Sequence, residues 1–292
     1  MRKTYIGAIC LSLAASLWGG LYVVSKYAMD AVPPFTLLFL RYLTASLALI
    51  LACRLSGMPI FPVHERKALL QVGFIGYFLS ISSQFIGTNL SSAHMGAVIT
   101  TLSPIFQSLF AIWLLKERMS HRAGIAMAIA FAGVLVIILT SASGESVGRA
   151  LWGNLILLLA ALFWGYQSVL ARQASFIHSP LTVTTAGVLI ATLFTGVASL
   201  TELGSWNYNV LTTWPIILSI LYIGIASTAV AFFTWNKGLS LLSSHQAGPF
   251  FFFQPIVGSL LGWALLGEHL TVAFFSGAAL IVAGVYLSFK HS

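Results

Sequence analysis

The chain is a succession of apolar runs of about 20 residues, the length at which a helix crosses the hydrocarbon of a bilayer, set apart by short polar breaks. That feature leaves few folds open. In hydrocarbon no water can satisfy the backbone amides, so runs of this length span as helices. Composition agrees. Charged residues are 7% of the 292, hydrophobic residues 59%, and mean hydropathy is +0.96, whereas a soluble domain is about a quarter charged. So few charges cannot cover a water-soluble protein of this size, and the chain reads as an integral membrane protein.

Spans are expected at about 5–26, 34–53, 67–88, 94–115, 121–141, 151–172, 180–201, 213–237, 245–266 and 270–289. Arg2 and Lys3 ahead of an apolar run look like a signal peptide, but that run has a counterpart later in the chain and is read as a span. The net charge of +8 does not point to nucleic acid, because the cations sit in short loops. With the N-terminus in the cytoplasm, the inner side holds Arg2, Lys3, Arg54, Arg66, Lys67, Lys116, Arg118, Arg122, Arg172, Lys237 and Lys290. The outer side holds Lys26 and Arg149, and Arg41 lies within a span. This asymmetry orients the chain by the positive-inside rule, with both termini cytoplasmic. No phosphate-binding loop and no nucleophile–base cluster appears, so ATP hydrolysis by that route and enzymatic chemistry are not expected. Cys10 and Cys53 have no metal spacing and suggest no disulfide framework. Neither a cofactor nor a metal is expected.

The chain also repeats itself. At an offset of 146, Gly7 meets Gly153, Trp18-Gly19 meets Trp164-Gly165, Lys26 meets Arg172 and Pro34 meets Pro180. At an offset of 151, Gly73 meets Gly224, Gly87 meets Gly238, Ser92-x-His94 meets Ser243-x-His245, Pro104 meets Pro255, and Leu114-Leu115-x-Glu117 meets Leu265-Leu266-x-Glu268. Each copy carries five spans. An odd number makes the second copy start on the opposite face from the first. The expected architecture is therefore all-α and membrane-integral, with ten transmembrane helices as two inverted five-helix repeats around a central cavity. The repeats are residues 1–140 and 151–292, joined by a Ser- and Gly-rich link at 141–150. Inverted repeats are a common basis for alternating access, with the substrate near the midplane.

Pro34 leading to Arg41-Tyr42, the run SSAHMGAVITTLSPIF, and LLKERMS echoed by LLGEHLT ahead of spans ending in Ala-Gly-Val carry a family resemblance. The chain resembles the drug/metabolite transporter superfamily, of the EamA type, over nearly its whole length. The resemblance implies ten helices in two inverted halves around a central cavity. It also implies export of amino acids, related metabolites or toxic compounds.

Polar and aromatic residues inside spans are the candidate site. All six acids, Asp30, Glu65, Glu117, Glu145, Glu202 and Glu268, fall outside span interiors. No buried carboxylate is therefore offered as a proton carrier or as a partner for organic cations. Arg41 is either an anchor for a substrate carboxylate or a side chain that snorkels to the outer face. Trp18 and Trp164 line the cavity or pack helices, their glycines allowing close approach. Tyr77, Gln84, Gln107, Gln167, Trp235, Asn236 and Gln254 each read as inter-helix glue, and collectively as the lining of a cavity for a small polar molecule. His94 and His245 follow serines that cap helices, or are titratable gate residues. Pro104 and Pro255 are expected to bend their helices. Gly124, Ala128 and Ala132 form a small-residue ladder expected to pack closely. In the run Phe250–Phe253 (FFFF) the rings face lipid or a substrate.

The function expected is an inner-membrane secondary transporter exporting a small metabolite, with a proton or an exchanged substrate as a possible coupling partner and oligomeric state open. Efflux of lipophilic toxicants and a non-transporting scaffold or sensor are the alternatives.

Overall fold

The computed structural model describes residues 2–62, 66–116, 147–242, 250–251, 253–267 and 272–289, together with residues 121, 124–125, 128–129, 132–133, 136 and 247. Among these residues the secondary structure is entirely helical. Helix α1 is Arg2–Met29 and α2 is Pro34–Leu55. Helix α3, Arg66–Leu90, holds a nine-residue π-helical segment, Val72–Ser80. Helices α4 (Ala93–Ile99) and α5 (Ser103–Leu115) are joined by the 3₁₀ turn Thr100–Leu102. Then come α6 (Val147–Ala174), α7 (Pro180–Ser199), and α8 (Trp214–Leu241) with a second π segment, Tyr222–Val230. Helices α9 (Phe253–Leu266) and α10 (Val272–Phe289) complete the order. Among the described residues seven helical stretches are long and apolar enough to cross a membrane. The chain is a multi-pass membrane protein. The expected span 121–141 lies for the most part outside the described residues, as does the link at 141–150.

Local chemistry sets the helix starts. Proline occupies the first turn of α2 and of α7, where its missing N–H costs nothing. Ser179 caps α7 by accepting from the Thr182 amide at 3.1 Å, and Ser92 caps α4 by accepting from the Met95 amide at 3.3 Å. The amides of Phe35 and Thr36, at the start of α2, donate instead to the carboxylate of Glu202, at 3.0 and 2.7 Å. Pro104 deprives the Thr100 carbonyl of its helical donor, and the Ser103 hydroxyl supplies one at 2.7 Å. The result is the break between α4 and α5. Pro255 falls in the first turn of α9.

The bundle is apolar on its outer surface as well as in its core. On α2, Leu43, Leu47, Leu51 and Leu55 form an exposed stripe at spacing four, while Leu38, Tyr42, Ala45, Leu49 and Cys53 on the opposite side are buried. Exposed Trp113, Trp152, Trp214 and Trp263 sit near helix ends, where amphipathic rings suit the membrane–water boundary. The ladder expected to pack closely does not: Ala128 and Ala132 are exposed.

Three antiparallel pairs organise the core. Helix α2 lies along α7: Glu202 meets Thr36, Ser46 Oγ meets Thr192 Oγ1 at 2.8 Å, and Thr182 Oγ1 donates to the Pro59 carbonyl at 3.0 Å. Helix α1 lies along α8, with Gly7 beside Leu242, Leu11 beside Gly238, and Trp18 Nε1 donating to the Ser227 carbonyl at 3.0 Å. Helix α3 lies along α6, with Gly87 against Gly153 and Ser80 Oγ donating to the Ala160 carbonyl at 2.8 Å. Glycines make these approaches possible. A Cβ on Gly19 would lie 2.6 Å from Val257 Cβ and 2.8 Å from the Gln254 carbonyl, and one on Gly165 would lie 2.6 Å from the Gln107 amide. The two Trp-Gly pairs therefore share one logic: the glycine seats its helix on a neighbour's backbone.

Candidate functional site

Between the three pairs lies a cavity with about 340 Å³ of atom-free space, of which about 20 Å³ admits the centre of a water molecule. That is room for little more than one water. Trp18 and Tyr22 from α1, Arg41 from α2, Gln84 from α3, Trp164 from α6 and Gln254 from α9 are among the residues lining it.

One side is aromatic. Trp18 and Trp164 meet edge to face with ring centres 5.2 Å apart, and Phe251 and Trp235 flank Trp18 at 5.6 and 5.1 Å. Phe232 closes on Trp164 at 5.3 Å. Edge and offset contacts of this kind hold rings together beyond simple burial. The other side is polar. Tyr22 Oη and Thr100 Oγ1 are 2.6 Å apart, and Gln254 Nε2 donates to both, at 3.0 and 2.8 Å. This cluster ties α1 to the α4–α5 break and to α9.

Arg41 is the decisive group. It is completely buried. Its Nε donates to Thr228 Oγ1 at 2.5 Å, and its Nη1 and Nη2 have no partner. Its guanidinium carbon lies 5.4–5.6 Å from the ring centres of Tyr42, Phe85 and Phe232, contacts that attract a cation but cannot accept its fork of hydrogen bonds. Among the described residues that line the cavity there is no Asp or Glu. The snorkelling alternative does not describe this side chain, which points into the bundle. The two tryptophans differ as well: Trp18 Nε1 is satisfied by Ser227, whereas Trp164 Nε1 is buried without a partner. Among the described residues, the fully buried unpartnered atoms at the wall are N–H donors.

Of the residues singled out in the sequence, Trp18, Arg41, Gln84, Trp164 and Gln254 come together in the cavity wall. Tyr77 and Trp235 stand behind it. Tyr77 Oη accepts from Asn236 Nδ2 at 2.9 Å, and the same amide nitrogen donates to Thr184 Oγ1 at 2.8 Å. Gln107 and Gln167 occupy helix seams instead, Gln107 where Gly165 closes on its backbone and Gln167 with its stem over Gly76. The phenylalanine run divides: Phe251 lines the cavity, while Phe253 is exposed. His94 belongs to the first turn of α4, but its side chain lies outside the described residues, as does the whole of His245. Sequence reasoning passed over Thr228, Tyr22 and Thr100, hydroxyl residues that nothing in their own segments distinguishes.

Known proteins resemble this chain in the same terms. Residues 5–139 and 151–290 each match the EamA-like transporter family. The uncharacterized transporter YetK of Bacillus subtilis is 27% identical, the alignment covering 98% of this chain and 88% of that protein. A probable amino-acid metabolite efflux pump of Salmonella typhimurium is also 27% identical, over 94% of this chain and 92% of its own length. A solved crystal structure shares the fold with a TM-score of 0.72, covering 99% of this chain and 96% of that one at 19% identity.

Proposed function

The chain belongs to the EamA-like transporter family, and we propose that it exports a small metabolite with a carboxylate, an amino acid or close relative, by alternating access. The observation that carries this reading is the buried Arg41 fork with both terminal nitrogens unpartnered at the cavity wall. Leaving a charge buried and uncompensated costs several kcal/mol. A ligand that relieves that cost brings negative charge and two coplanar acceptors, which is the geometry of a carboxylate. Trp164 Nε1 offers a third donor. The relatives described as amino-acid metabolite efflux pumps are in keeping with this substrate class.

The membrane arrangement we propose is ten spans in two inverted halves, 1–140 and 151–292, with both termini cytoplasmic. Two observations support it. The family matches twice, once on each side of the link. Helices α2 and α7, which correspond at the offset of 146, lie antiparallel along one another. In alternating access the halves would rock about the Trp18–Trp164 contact. No carboxylate is among the described residues that line the cavity, so coupling is proposed to run through substrate exchange or a protonated histidine, with His94 and His245 as the candidates.

Flux in proteoliposomes, measured with radiolabelled amino acids with and without a pH gradient, tests the reading. Amino-acid flux that falls with Arg41→Gln supports it. A second reading, efflux of neutral lipophilic compounds, draws on the aromatic side of the cavity. Flux of such compounds, indifferent to Arg41→Gln and without any amino-acid flux, would put it first.

A further inference from the structure

The repeat offsets place Arg41 opposite Gly187 (146) and Tyr77 opposite Thr228 (151). The surrounding backbone is in keeping with this correspondence. A Cβ on Gly224 would meet Thr44 and the Arg41 carbonyl, and a Cβ on Gly73 would meet Ile190 and the Gly187 carbonyl. Equivalent helices thus cross at equivalent points. The side chains at those crossings are exchanged in size. On one side a long cation faces a small hydroxyl. On the other, Gly187 faces the ring of Tyr77, whose Cε2 lies 2.7 Å from where a Cβ on Gly187 would stand. The Tyr77 hydroxyl is already engaged by Asn236.

We infer that Thr228 is a positioning residue for Arg41, and that the Arg41–Thr228 pair, with no cationic counterpart at Gly187–Tyr77, makes the cavity a one-ended receptor for a monocarboxylate. This rests on the carboxylate reading of the site. Thr228 is fully buried within the second π segment and donates to the Ile223 carbonyl at 2.6 Å, which fixes its hydroxyl. The fixed oxygen accepts from Arg41 Nε. Held by that single edge, the guanidinium presents Nη1 and Nη2 together. A hydrocarbon in place of the hydroxyl would release Nε, and the fork could then turn its other edge to the protein. A dicarboxylate would bury its second charge among Trp18, Trp164 and Phe251, where the described residues offer no cation.

The experiment uses the full chain in proteoliposomes. A neutral amino acid that the protein transports is chosen from the twenty common ones, and its carboxamide, glutamate and aspartate serve as competitors. The wild type should prefer the acid over its amide, and should bind glutamate and aspartate about tenfold or more weakly. Thr228→Val should raise KM for the acid about tenfold, the worth of a hydrogen bond to a charged group. It should change kcat less than about twofold and leave the amide's competition unaltered, and Thr228→Ser should restore the wild-type KM. Thr228→Ala, which likewise removes the acceptor for Nε–H while leaving the Arg41 fork in place, should show the same rise in KM. It serves as the second variant where Thr228→Val does not reach the membrane. Equal losses for acid and amide in Thr228→Val, or none, would overturn the positioning role. Glutamate or aspartate competing as well as the neutral acid would overturn the one-ended receptor. A wild type blind to the difference between acid and amide, or inert toward all twenty amino acids, would remove the carboxylate reading itself.

Discussion

The seams between helices and the walls of the cavity follow different rules. At four seam glycines that the offsets pair, the contacts match. Gly238 faces Leu11 and the Gly7 carbonyl, while Gly87 faces Leu157 and the Gly153 carbonyl. Gly19 sits on Val257 and Gly258, while Gly165 sits on Phe106 and Gln107. Every one of these pairs is related by the offsets 146 and 151. Around the cavity, apart from the Trp18–Trp164 pair, the copies part. Trp235 corresponds to Gln84, Phe232 to Ile81, Phe251 to Thr100, and Gln254 to Ser103. The reason is geometric. Backbones in contact leave no room for a Cβ, so both copies need the same glycine. A wall facing empty space has no such restriction, and its two sides are free to hold different ends of a ligand.

The largest effect that could break this contrast is at Arg41. Arg41→Met should lower kcat/KM for a carboxylate substrate more than about 100-fold, an effect near 3 kcal/mol, while the protein remains monodisperse in detergent. Next come the seams. Gly19→Val and Gly165→Val should each destabilise by about 1–3 kcal/mol through overpacking, and the two thermal shifts should match. Unequal shifts would show that the copied contacts are not equivalent in energy. Smaller again is the tryptophan pair. Trp164→Phe keeps the ring but removes an unpartnered donor, and should raise KM about fivefold with stability unchanged. Trp18→Phe abandons the Ser227 carbonyl and should lower stability by about 1 kcal/mol. If both acted on KM alone, the difference between the two indoles would be void. Least of all, Glu202→Gln should weaken the cap on α2 by about 1 kcal/mol or less, read as a small fall in melting temperature with flux retained.

Much of the fold is legible in the sequence, because lipid demands long apolar runs and leaves cations to mark loops. The glycines and the Trp-Gly pairs are legible for the same reason that the seams match. The cavity is only partly so. Arg41, Gln84 and Gln254 stand out as polar groups in apolar runs, but Gln107 and Gln167 carry the same mark and lie in seams, since a residue type does not reveal its helix face. Thr228 is hidden more deeply. Threonines in these helices routinely bond their own backbone, as Thr184, Thr185 and Thr195 do, so a hydroxyl that also holds a guanidinium looks like any other. The signal that could have found it was the pairing of Tyr77 with Thr228 and of Arg41 with Gly187 in the repeat. In the run Phe250–Phe253 (FFFF), only the packed structure separates Phe251, in the cavity wall, from the exposed Phe253.

The Glu202 cap has a consequence in time. Helix α2 draws its first acceptors from a residue 166 to 167 positions later in the chain. At about 5–20 residues per second, the ribosome delivers that carboxylate roughly ten to thirty seconds after α2 itself. During that interval the amides of Phe35 and Thr36 have only water and lipid headgroups to bond, and α2 has yet to meet α7. The early helices are thus inserted before they are finished, and the late part of the chain completes the ends of the early part.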